Sequence, residues 1–600
     1  MSSGKVTEID SNLLVIRVDG PVSQNEVCYV RAGESRLLGE VIKVVGDKAY
    51  AQIFESTRGL KVGIEVEFTG KMLEVELGPG ILSRIYDGLQ NDLERKEGLF
   101  LKRGEYTPAL DPDARYEFTP LVKKGDAVVA ADWLGEVREN WIPHKIMVPF
   151  ALDGGYTVES ITAPGSYRIS DKIATLRGEG GESVDVTMVQ RWPVKKAITA
   201  YREKPRPFRV LETGVRIMDT FNPMAEGGTG FIPGPFGAGK TVLQHNLSRN
   251  AEADLIIVAA CGERANEVVE LFTEFPELID PRTGRKLMER TTIICNTSNM
   301  PVAAREASVY TAMTIGEYYR QMGLRVLMLA DSTSRWAQAL REMSNRLEEL
   351  PGPDAFPMDL PAVISAFYSR AGFVYLNNGK TGSVTFIGTV SPAGGNLKEP
   401  VTESTKKAAR CFYALSQSRA DAKRYPAVDP LESYSKYLEY PEIQQYLNNQ
   451  FGADWVELVL DAKNWNQRGK EAYDQINILG DDGVPVEYHT TYWKSETIDA
   501  VLMQQDAFDE IDAATPFKRQ RYMLHAVMRI CGLEFQFENF EKVGLYFKRI
   551  INALKQMNYS VFESEDFRKY EKELESVVEE RRVEPGEEQA TAAAKAAAHA

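Results

Sequence analysis

Residues 234–241 constrain this chain more than any other segment. They form Gly-Pro-Phe-Gly-Ala-Gly-Lys-Thr, which fits the phosphate-binding loop pattern G-x-x-x-x-G-K-[ST] at every fixed position. The glycines let successive backbone N–H groups point at phosphate oxygens, Lys240 reaches the β- and γ-phosphates, and the Thr241 hydroxyl holds Mg²⁺. A strand-like run precedes the loop and a helix-forming run follows it. This is the context of a phosphate-binding loop, because the N-terminus of the following helix favours phosphate. The predicted nucleotide-binding residues are Gly234, Pro235, Phe236, Gly237, Ala238, Gly239, Lys240, Thr241 and Val242.

The composition is that of a multidomain globular protein. The chain has 600 residues, of which 43% are hydrophobic and 26% charged. Its formal net charge of −15 argues against nucleic-acid binding driven by whole-chain charge. The five cysteines are scattered and form no CxxC pair, so neither a zinc site nor a disulfide framework is indicated. We find no signal peptide and no apolar run long enough to span a membrane, so we expect a cytoplasmic protein.

Changes of pattern along the chain predict a multidomain protein. Short strands broken by glycines open the chain, strands and helices alternate in its middle, and helix formers dominate its last part. We assign an N-terminal β-barrel to residues 1–76, a P-loop α/β nucleotide-binding domain with a mostly parallel sheet to 77–110 and 191–430, an inserted β-rich module to 111–190, a C-terminal helical domain to 431–584, and a disordered tail to 585–600.

Individual elements are predicted from apolar periodicity and from breakers such as Gly323 and Pro351. The predicted strands of the α/β domain cover 255–260, 292–296, 325–330 and 383–390, and the predicted helices cover 267–275, 302–322 and 334–350. A further helix-like stretch covers 81–92.

Charged residues follow two of these strands, at the edge where parallel sheets bind ligands. Asp331 ends an apolar strand, which is typical of a carboxylate that holds Mg²⁺ directly or through water. An ordinary strand-end aspartate that caps the next turn is the alternative. Glu263 ends another strand and can polarise a water for attack on the γ-phosphate, and Arg264 can position Glu263 or neutralise phosphate charge. A surface ion pair between these two neighbours remains the alternative.

With these motifs in this order, the chain resembles the catalytic A subunit of the rotary V/A-type ATPases over nearly its whole length. The insertion at 111–190 distinguishes this resemblance from one to the F-type catalytic subunits. Those subunits are similar around the phosphate loop but lack the insertion. The segments that carry the resemblance are 76–81, 234–241, 262–264, 274–278, 296–306, 331–336 and 504–508.

The resemblance implies an alternating hexamer of three A and three homologous B subunits. ATP hydrolysis at their interfaces would turn a central rotor shaft and pump protons or sodium ions through a membrane sector, and the reverse process would synthesise ATP. The complex would be peripheral on the membrane, and the insertion would be the bulge domain that contacts peripheral stalk subunits. An arginine finger would come from the B subunit.

The resemblance also implies roles for individual residues. It assigns Lys240 to phosphate, Thr241 to Mg²⁺, Glu263 to water activation and Arg264 to the phosphate region. It places Phe508 against the adenine, with Tyr425 as a second aromatic and Phe236 beside the nucleotide.

The sequence departs from the family's pattern at four places. Ala265 stands where the family usually has glycine, and residues 415–420 and 425–430 look partly F-type. Ala238 stands where eukaryotic relatives carry cysteine, which favours a prokaryotic source.

Other functions are possible for a chain with this core fold. A homohexameric export ATPase or RNA translocase is expected to lack the insertion, and a non-catalytic assembly subunit would tolerate loss of Lys240 or Glu263.

Overall fold

The N-terminal region closes into a barrel because its strands alternate inward apolar and outward polar residues. The structure, a computed structural model, describes residues 2–94, 104–263, 269, 272–298 and 300–582. The strand order is β1-β2-β5-β4-β3-β6, and β6 returns to pair with β1. Val6, Ile16, Val41 and Phe68 lie in the barrel's core. The predicted barrel is confirmed. Its strands are β1 (Ser3–Asp10), β2 (Leu13–Val18), β3 (Glu26–Ala32), β4 (Ser35–Val45), β5 (Lys48–Ile53) and β6 (Glu65–Met72).

The helix predicted at 81–92 is wrong. After β7 (Glu74–Leu77) this stretch contains only the short strand β8 (Ile85–Tyr86) and turns. The Asp87 carboxylate accepts hydrogen bonds from the backbone N–H groups of Leu89 and Asn91, at 2.9 and 2.8 Å. Such local side-chain bonds compete with a helix for the backbone donors.

The inserted module consists of two four-stranded antiparallel sheets. Their orders are β10-β13-β15-β16 and β12-β11-β9-β14. The strand that follows the module, β17 (Gln190–Pro193), pairs antiparallel with β7, so the chain returns from the module to the strand that follows the barrel. The strands are β9 (Arg115–Pro120), β10 (Ala127–Val128), β11 (Trp133–Glu139), β12 (Ile142–Met147), β13 (Tyr156–Ile161), β14 (Gly165–Arg168), β15 (Ala174–Gly178) and β16 (Ser183–Val186).

The α/β core has the mostly parallel sheet that the sequence predicts, with β18-β23-β21-β19-β20-β8 running parallel and β22 antiparallel to β23. All four predicted strands are present. Strand β19 (Leu255–Glu263), in the middle of this sheet, is buried along almost its whole length, as in a sheet covered on both faces. The strands are β18 (Thr229–Pro233), β19 (Leu255–Glu263), β20 (Thr291–Thr297), β21 (Arg325–Asp331), β22 (Gly372–Tyr375) and β23 (Thr381–Val390).

The helices of this region begin near their predicted positions but end earlier. The helix predicted at 302–322 ends at Arg320, and Gly323 follows with a φ of 80°. The helix predicted at 267–275 lies largely outside the described residues. The helices are α1 (Lys240–Asn250), α2 (Val302–Arg320), α3 (Thr333–Arg346), α4 (Leu360–Tyr368) and α5 (Pro400–Ala408).

The C-terminal region is helical, as predicted. A small antiparallel pair, β24 (Cys411–Phe412) and β25 (Tyr434–Ser435), precedes its larger helices. The predicted tail at 585–600 lies outside the described residues, and no described helix has the length and apolar character needed to cross a membrane. The helices are α6 (Gln417–Asp421), α7 (Pro441–Phe451), α8 (Trp455–Leu479), α9 (Val486–Ile498), α10 (Phe517–Gly532), α11 (Phe540–Tyr559) and α12 (Glu565–Glu579), with five-residue π-helical turns at Ile217–Phe221 and Asp499–Met503.

The chain divides into two compact units. The first comprises Met1–Pro207, Glu226–Pro233 and Ala253–Arg410, and therefore holds the barrel, the inserted module and the parallel sheet. The second comprises Phe208–Ala225, Gly234–Glu252 and the chain from Cys411 on, and therefore holds the phosphate loop and the C-terminal helices.

Within the first unit, a buried carboxylate anchors the inserted module. Glu139, at the end of β11, accepts hydrogen bonds from the backbone N–H groups of Gly80 and Leu82 at 2.7 and 2.8 Å. Its other oxygen lies 2.7 Å from Nδ1 of His144 and 2.8 Å from the Tyr319 hydroxyl. Burial opposes the charge, but His144 and these hydrogen bonds hold the pKa of Glu139 below its ordinary value.

We expect Glu139→Ala to lower the free energy of unfolding of this unit by about 3–5 kcal/mol, because several buried polar groups lose their partner at once. Urea denaturation at neutral pH, followed by near-UV circular dichroism, measures the change. The matched control is Glu159→Ala, which breaks an exposed ion pair with Arg177 and should cost about 0–1 kcal/mol.

The same anchor predicts a sensitivity to acid. Because the folded-state pKa of Glu139 is lowered, its stabilising contribution is present above its ordinary pKa of 4.5 and is lost as the pH falls through the lowered value. If Glu139→Ala and Glu159→Ala lowered the free energy of unfolding equally at neutral pH, that result would contradict the anchoring role of Glu139.

Candidate functional site

The phosphate loop follows directly after β18 and leads into α1. Gly237 and Gly239 have φ angles of 80° and 89°, the left-handed region that favours glycine. A Cβ atom at Gly234 would lie 2.6 Å from the Cβ of Leu415, so no larger residue fits there. Since α1 begins at Lys240, the loop lies at a helix N-terminus, where backbone donors and the helix dipole favour phosphate.

Within the second unit, Lys240 is held at the loop by the loop's own backbone. Its ammonium donates hydrogen bonds to the carbonyl oxygens of Gly234 and Pro235, at 2.7 and 2.9 Å. Thr241, the next residue, is exposed and Ala238 is buried. The loop therefore presents a cation that can pair with phosphate and an accessible hydroxyl oxygen that can bind Mg²⁺.

A cavity of about 510 Å³ adjoins the loop within the same unit. It brings together five of the predicted residues: Gly237, Gly239, Val242, Tyr425 and Phe508. The Phe508 ring is 86% exposed, and Tyr425 is 44% exposed. Two accessible aromatic side chains beside a phosphate loop suit a flat, stacked base.

Phe236 does not join this cavity. It is 77% exposed and is not among the residues that line the cavity. Its predicted place beside the nucleotide remains a prediction.

Several residues of the cavity wall were not predicted from the sequence. Asn246 lies one helical turn after Val242 on α1, and Lys555 and Tyr559 lie one turn apart on α11, so helical spacing was the only signal for them. The missed lining residues include Arg216, Asn246, Lys423, Asp512, Lys555, Asn558 and Tyr559.

In the first unit, the carboxyl ends of the parallel strands meet at one edge of the sheet. Asp331 is in register with Ala260 of β19, and Pro233 at the end of β18 is in register with Val390. Asp331 is half-buried, and one of its carboxylate oxygens accepts a hydrogen bond from the Thr389 hydroxyl at 2.5 Å. This hydrogen bond holds the Asp331 oxygen at the carboxyl edge of the sheet, the edge at which β18 also ends.

Glu263 is the last residue of β19 and is half-buried. Its backbone carbonyl accepts a hydrogen bond from Ser298 at 2.9 Å, and this fixes the end of the strand. Arg264 lies outside the described residues, so its role stays a prediction. Cys261, two residues before Glu263, is fully buried, and burial raises the pKa of its thiol to about 12. This is consistent with a packing role rather than a chemical one.

Two arginines lie close to the residue before Glu263. A Cβ atom at Gly262 would be 3.1 Å from Cδ of Arg305 and 3.3 Å from Cβ of Arg335. Arg305 pairs with Glu342 at 3.0 Å, and Arg335 donates to Gln338 at 3.3 Å. The sequence analysis gave neither arginine a role, although Arg335 stands four residues after Asp331, in the first turn of α3.

The described residues include no group of three or more His, Cys, Asp or Glu side chains that could hold a metal ion. Mg²⁺ does not need such a group, because it keeps several waters and binds one or two protein oxygens together with phosphate.

The sequence matches three parts of the ATP synthase alpha/beta family. The nucleotide-binding domain matches residues 214–435, the barrel-sandwich domain residues 107–195, and the beta-barrel domain residues 6–70.

Full-length relatives agree with these matches. The chain is 49% identical over 583 residues to the V-type ATP synthase alpha chain of Treponema denticola, covering 97% of each chain. It is 49% identical over 593 residues to the protein of the same name from Borrelia duttonii, covering 97% of this chain and all of the relative. It is 50% identical over 588 residues to that of Borrelia hermsii, covering 97% and 99%.

Proposed function

The chain belongs to the V-type ATP synthase alpha chains of the ATP synthase alpha/beta family, and from this premise we propose that it is the catalytic subunit of a rotary ATPase that hydrolyses or synthesises ATP. The observation that carries the proposal is the intact phosphate loop with Lys240, adjoined by a cavity that the accessible side chains of Tyr425 and Phe508 line. A homohexameric export ATPase or RNA translocase is not favoured, since the match extends through the barrel-sandwich domain at 107–195.

ATP binds, in this proposal, with its phosphates on the loop and its base in the cavity. Residues 234–242 supply the backbone donors, and the ammonium of Lys240 exchanges its carbonyl partners for β- and γ-phosphate oxygens. The base lies against Tyr425 and Phe508, where stacking and burial of apolar surface both favour it.

We propose that Mg²⁺ binds to two further oxygen donors of this chain. Its ligands are the exposed Thr241 hydroxyl and, directly or through water, the Asp331 carboxylate that Thr389 orients. When bound, the ion neutralises charge on the β- and γ-phosphates.

Glu263 is the proposed base that orients the attacking water. Its position at the end of β19 fits this role, because catalytic groups of parallel sheets lie beyond the carboxyl ends of strands. Arg264 is proposed to hold Glu263 or to neutralise phosphate charge.

The protein acts as one subunit of a larger, membrane-associated complex. In finer detail, it alternates with a homologous non-catalytic B subunit, contacts a central rotor shaft, and meets peripheral stalk subunits through residues 111–190. The complex couples ATP chemistry to transport of protons or sodium ions, while this chain itself stays on the cytoplasmic side. We also propose that the domains have the boundaries predicted from the sequence: 1–76, 77–110 with 191–430, 111–190, 431–584 and 585–600.

Copurification tests the assembly. A complex isolated through a tag on this chain should contain a homologous second chain in equal amount, together with shaft and stalk chains. Recovery of this chain alone, as an active hexamer, would contradict the alternating arrangement.

We expect Glu263→Gln to keep ATP binding but to lower turnover in the reconstituted complex by about 10²–10⁴-fold, the usual contribution of a positioned base. The amide keeps the size of the side chain but cannot accept a proton from water. Single-turnover hydrolysis separates chemistry from binding. The control is Glu277→Gln, which alters an exposed carboxylate paired with Lys286 in the same unit. Near-normal turnover of the Glu263 variant would assign the base to another carboxylate.

A further inference from the structure

The Phe508 side chain is not held in place by packing. Its ring is 86% exposed, so its place beside the cavity depends on the backbone that carries it. That backbone is tied internally through carboxylates. The N–H of Phe508 donates to Asp506 at 2.9 Å, and the N–H of Asp506 donates to Asp512 at 2.7 Å. The carboxylate of Asp512 therefore fixes the turn that presents Phe508.

The buried guanidinium of Arg216 contacts both ends of the segment 504–515, which carries Phe508. The side chain is 2% exposed. Its two terminal nitrogens contact both carboxylate oxygens of Asp512, one of them at 3.3 Å. The same nitrogens also donate to the Thr515 hydroxyl at 3.0 Å and to the backbone carbonyl of Gln504. A planar fork that reaches both sides of the segment fixes its geometry, which a point charge cannot do.

Gln505 connects this arrangement to the second aromatic residue. Its side chain accepts from the backbone N–H of Arg216 at 2.8 Å and donates to the carbonyl of Asp512 at 2.7 Å. Its own backbone N–H donates to the carbonyl of Tyr425 at 2.8 Å. Phe508 and Tyr425 are thus tied to one buried network.

We propose that Arg216 is a positioning residue for the base: with Asp512, it sets the distance and angle at which Phe508 and Tyr425 receive the adenine. The inference rests on the proposed function. A buried ion pair contributes little net stability compared with apolar residues, so its value here is the fixed geometry of the segment. The described side-chain hydrogen bonds of Arg216 go to Gln504, Asp512 and Thr515, and not to the loop at 234–242.

The test compares a ligand that has a base with one that does not. Arg216→Lys keeps the charge beside Asp512 but loses the fork. We expect the Kd for Mg-ATP, measured by calorimetry on the isolated full-length chain, to rise about 10-fold or more, as for loss of a bidentate contact. The Kd for Mg-tripolyphosphate, which has no base, should stay within about 2-fold.

The matched control is Arg290→Lys. Arg290 forms an equally buried pair with Asp280 at 3.0 Å and does not line the cavity. We expect this variant to leave both affinities unchanged. If Arg216→Lys does not fold, Asp512→Asn serves in its place, because the amide keeps the size but not the charge of the partner.

A double-mutant cycle separates positioning from general destabilisation. Phe508→Ala should weaken ATP binding strongly in the wild-type chain but only slightly in the Arg216→Lys chain, because the ring is already misplaced there. Equal effects in both backgrounds, or parallel losses of ATP and tripolyphosphate, would overturn the positioning role. Failure of the wild-type chain to bind either ligand would instead overturn the proposed function and this role with it.

Discussion

Lys240→Ala is expected to abolish ATP turnover, with a loss of at least about 10³-fold in the reconstituted complex. The ammonium lies at the loop, 2.7 and 2.9 Å from the carbonyl oxygens of Gly234 and Pro235. It is the cation that the phosphate loop itself supplies, and charge that develops on the γ-phosphate loses this partner when the side chain is removed.

A coupled assay of ADP release measures this loss, and near-UV circular dichroism confirms that the fold is retained. Lys470→Ala is the matched control, because it removes an exposed lysine paired with Asp474 at 2.7 Å in the same unit. Turnover of the Lys240 variant within tenfold of the wild-type rate would contradict the assignment of the phosphate loop.

The parallel strands and their terminal carboxylates were predictable because their signals are local. Strands such as β19 and β21 are buried on both faces, so they appear as short apolar runs. Asp331 and Glu263 then follow those runs in sequence, and the topology of parallel sheets places them at one edge.

Other features were not predictable because competing or distant contacts decide them. At 81–92 the helical pattern fails, since the Asp87 carboxylate captures the N–H groups of two nearby residues. The anchor of the inserted module depends on Glu139 reaching Gly80 and Tyr319, far away in sequence. No local pattern encodes such pairs.

The wall of the cavity shows the same limit. Tyr425 and Phe508 were found through the resemblance, and their segments lie far from the loop in sequence. Arg216 lies closer to the loop, but its partner Asp512 does not, so neither shows its role in a local pattern. A buried ion pair of this kind looks, in sequence, like any two charged residues.

The isolated chain is expected to bind ATP but to hydrolyse it about 10³–10⁵-fold more slowly than the full complex, because an arginine finger contributes that factor. The described arginines near the candidate site are already engaged. Arg216 pairs with Asp512, Arg305 pairs with Glu342, and Arg335 donates to Gln338. Arg264 lies outside the described residues, and the role proposed for it is to hold Glu263 or to neutralise phosphate charge.

Titration of the homologous partner into this chain tests the expectation. Turnover should rise steeply as the partner is added, and replacing the partner's interface arginine with alanine should remove the rise while sedimentation still shows assembly. The control is a partner variant with an exposed arginine outside the interface replaced. If the purified single chain already turns over at the rate of the complex, the charge that stabilises the transition state comes from this chain alone. In that case a self-sufficient homohexamer explains the site better than an alternating one, and Arg305 and Arg335 become the cations to replace next.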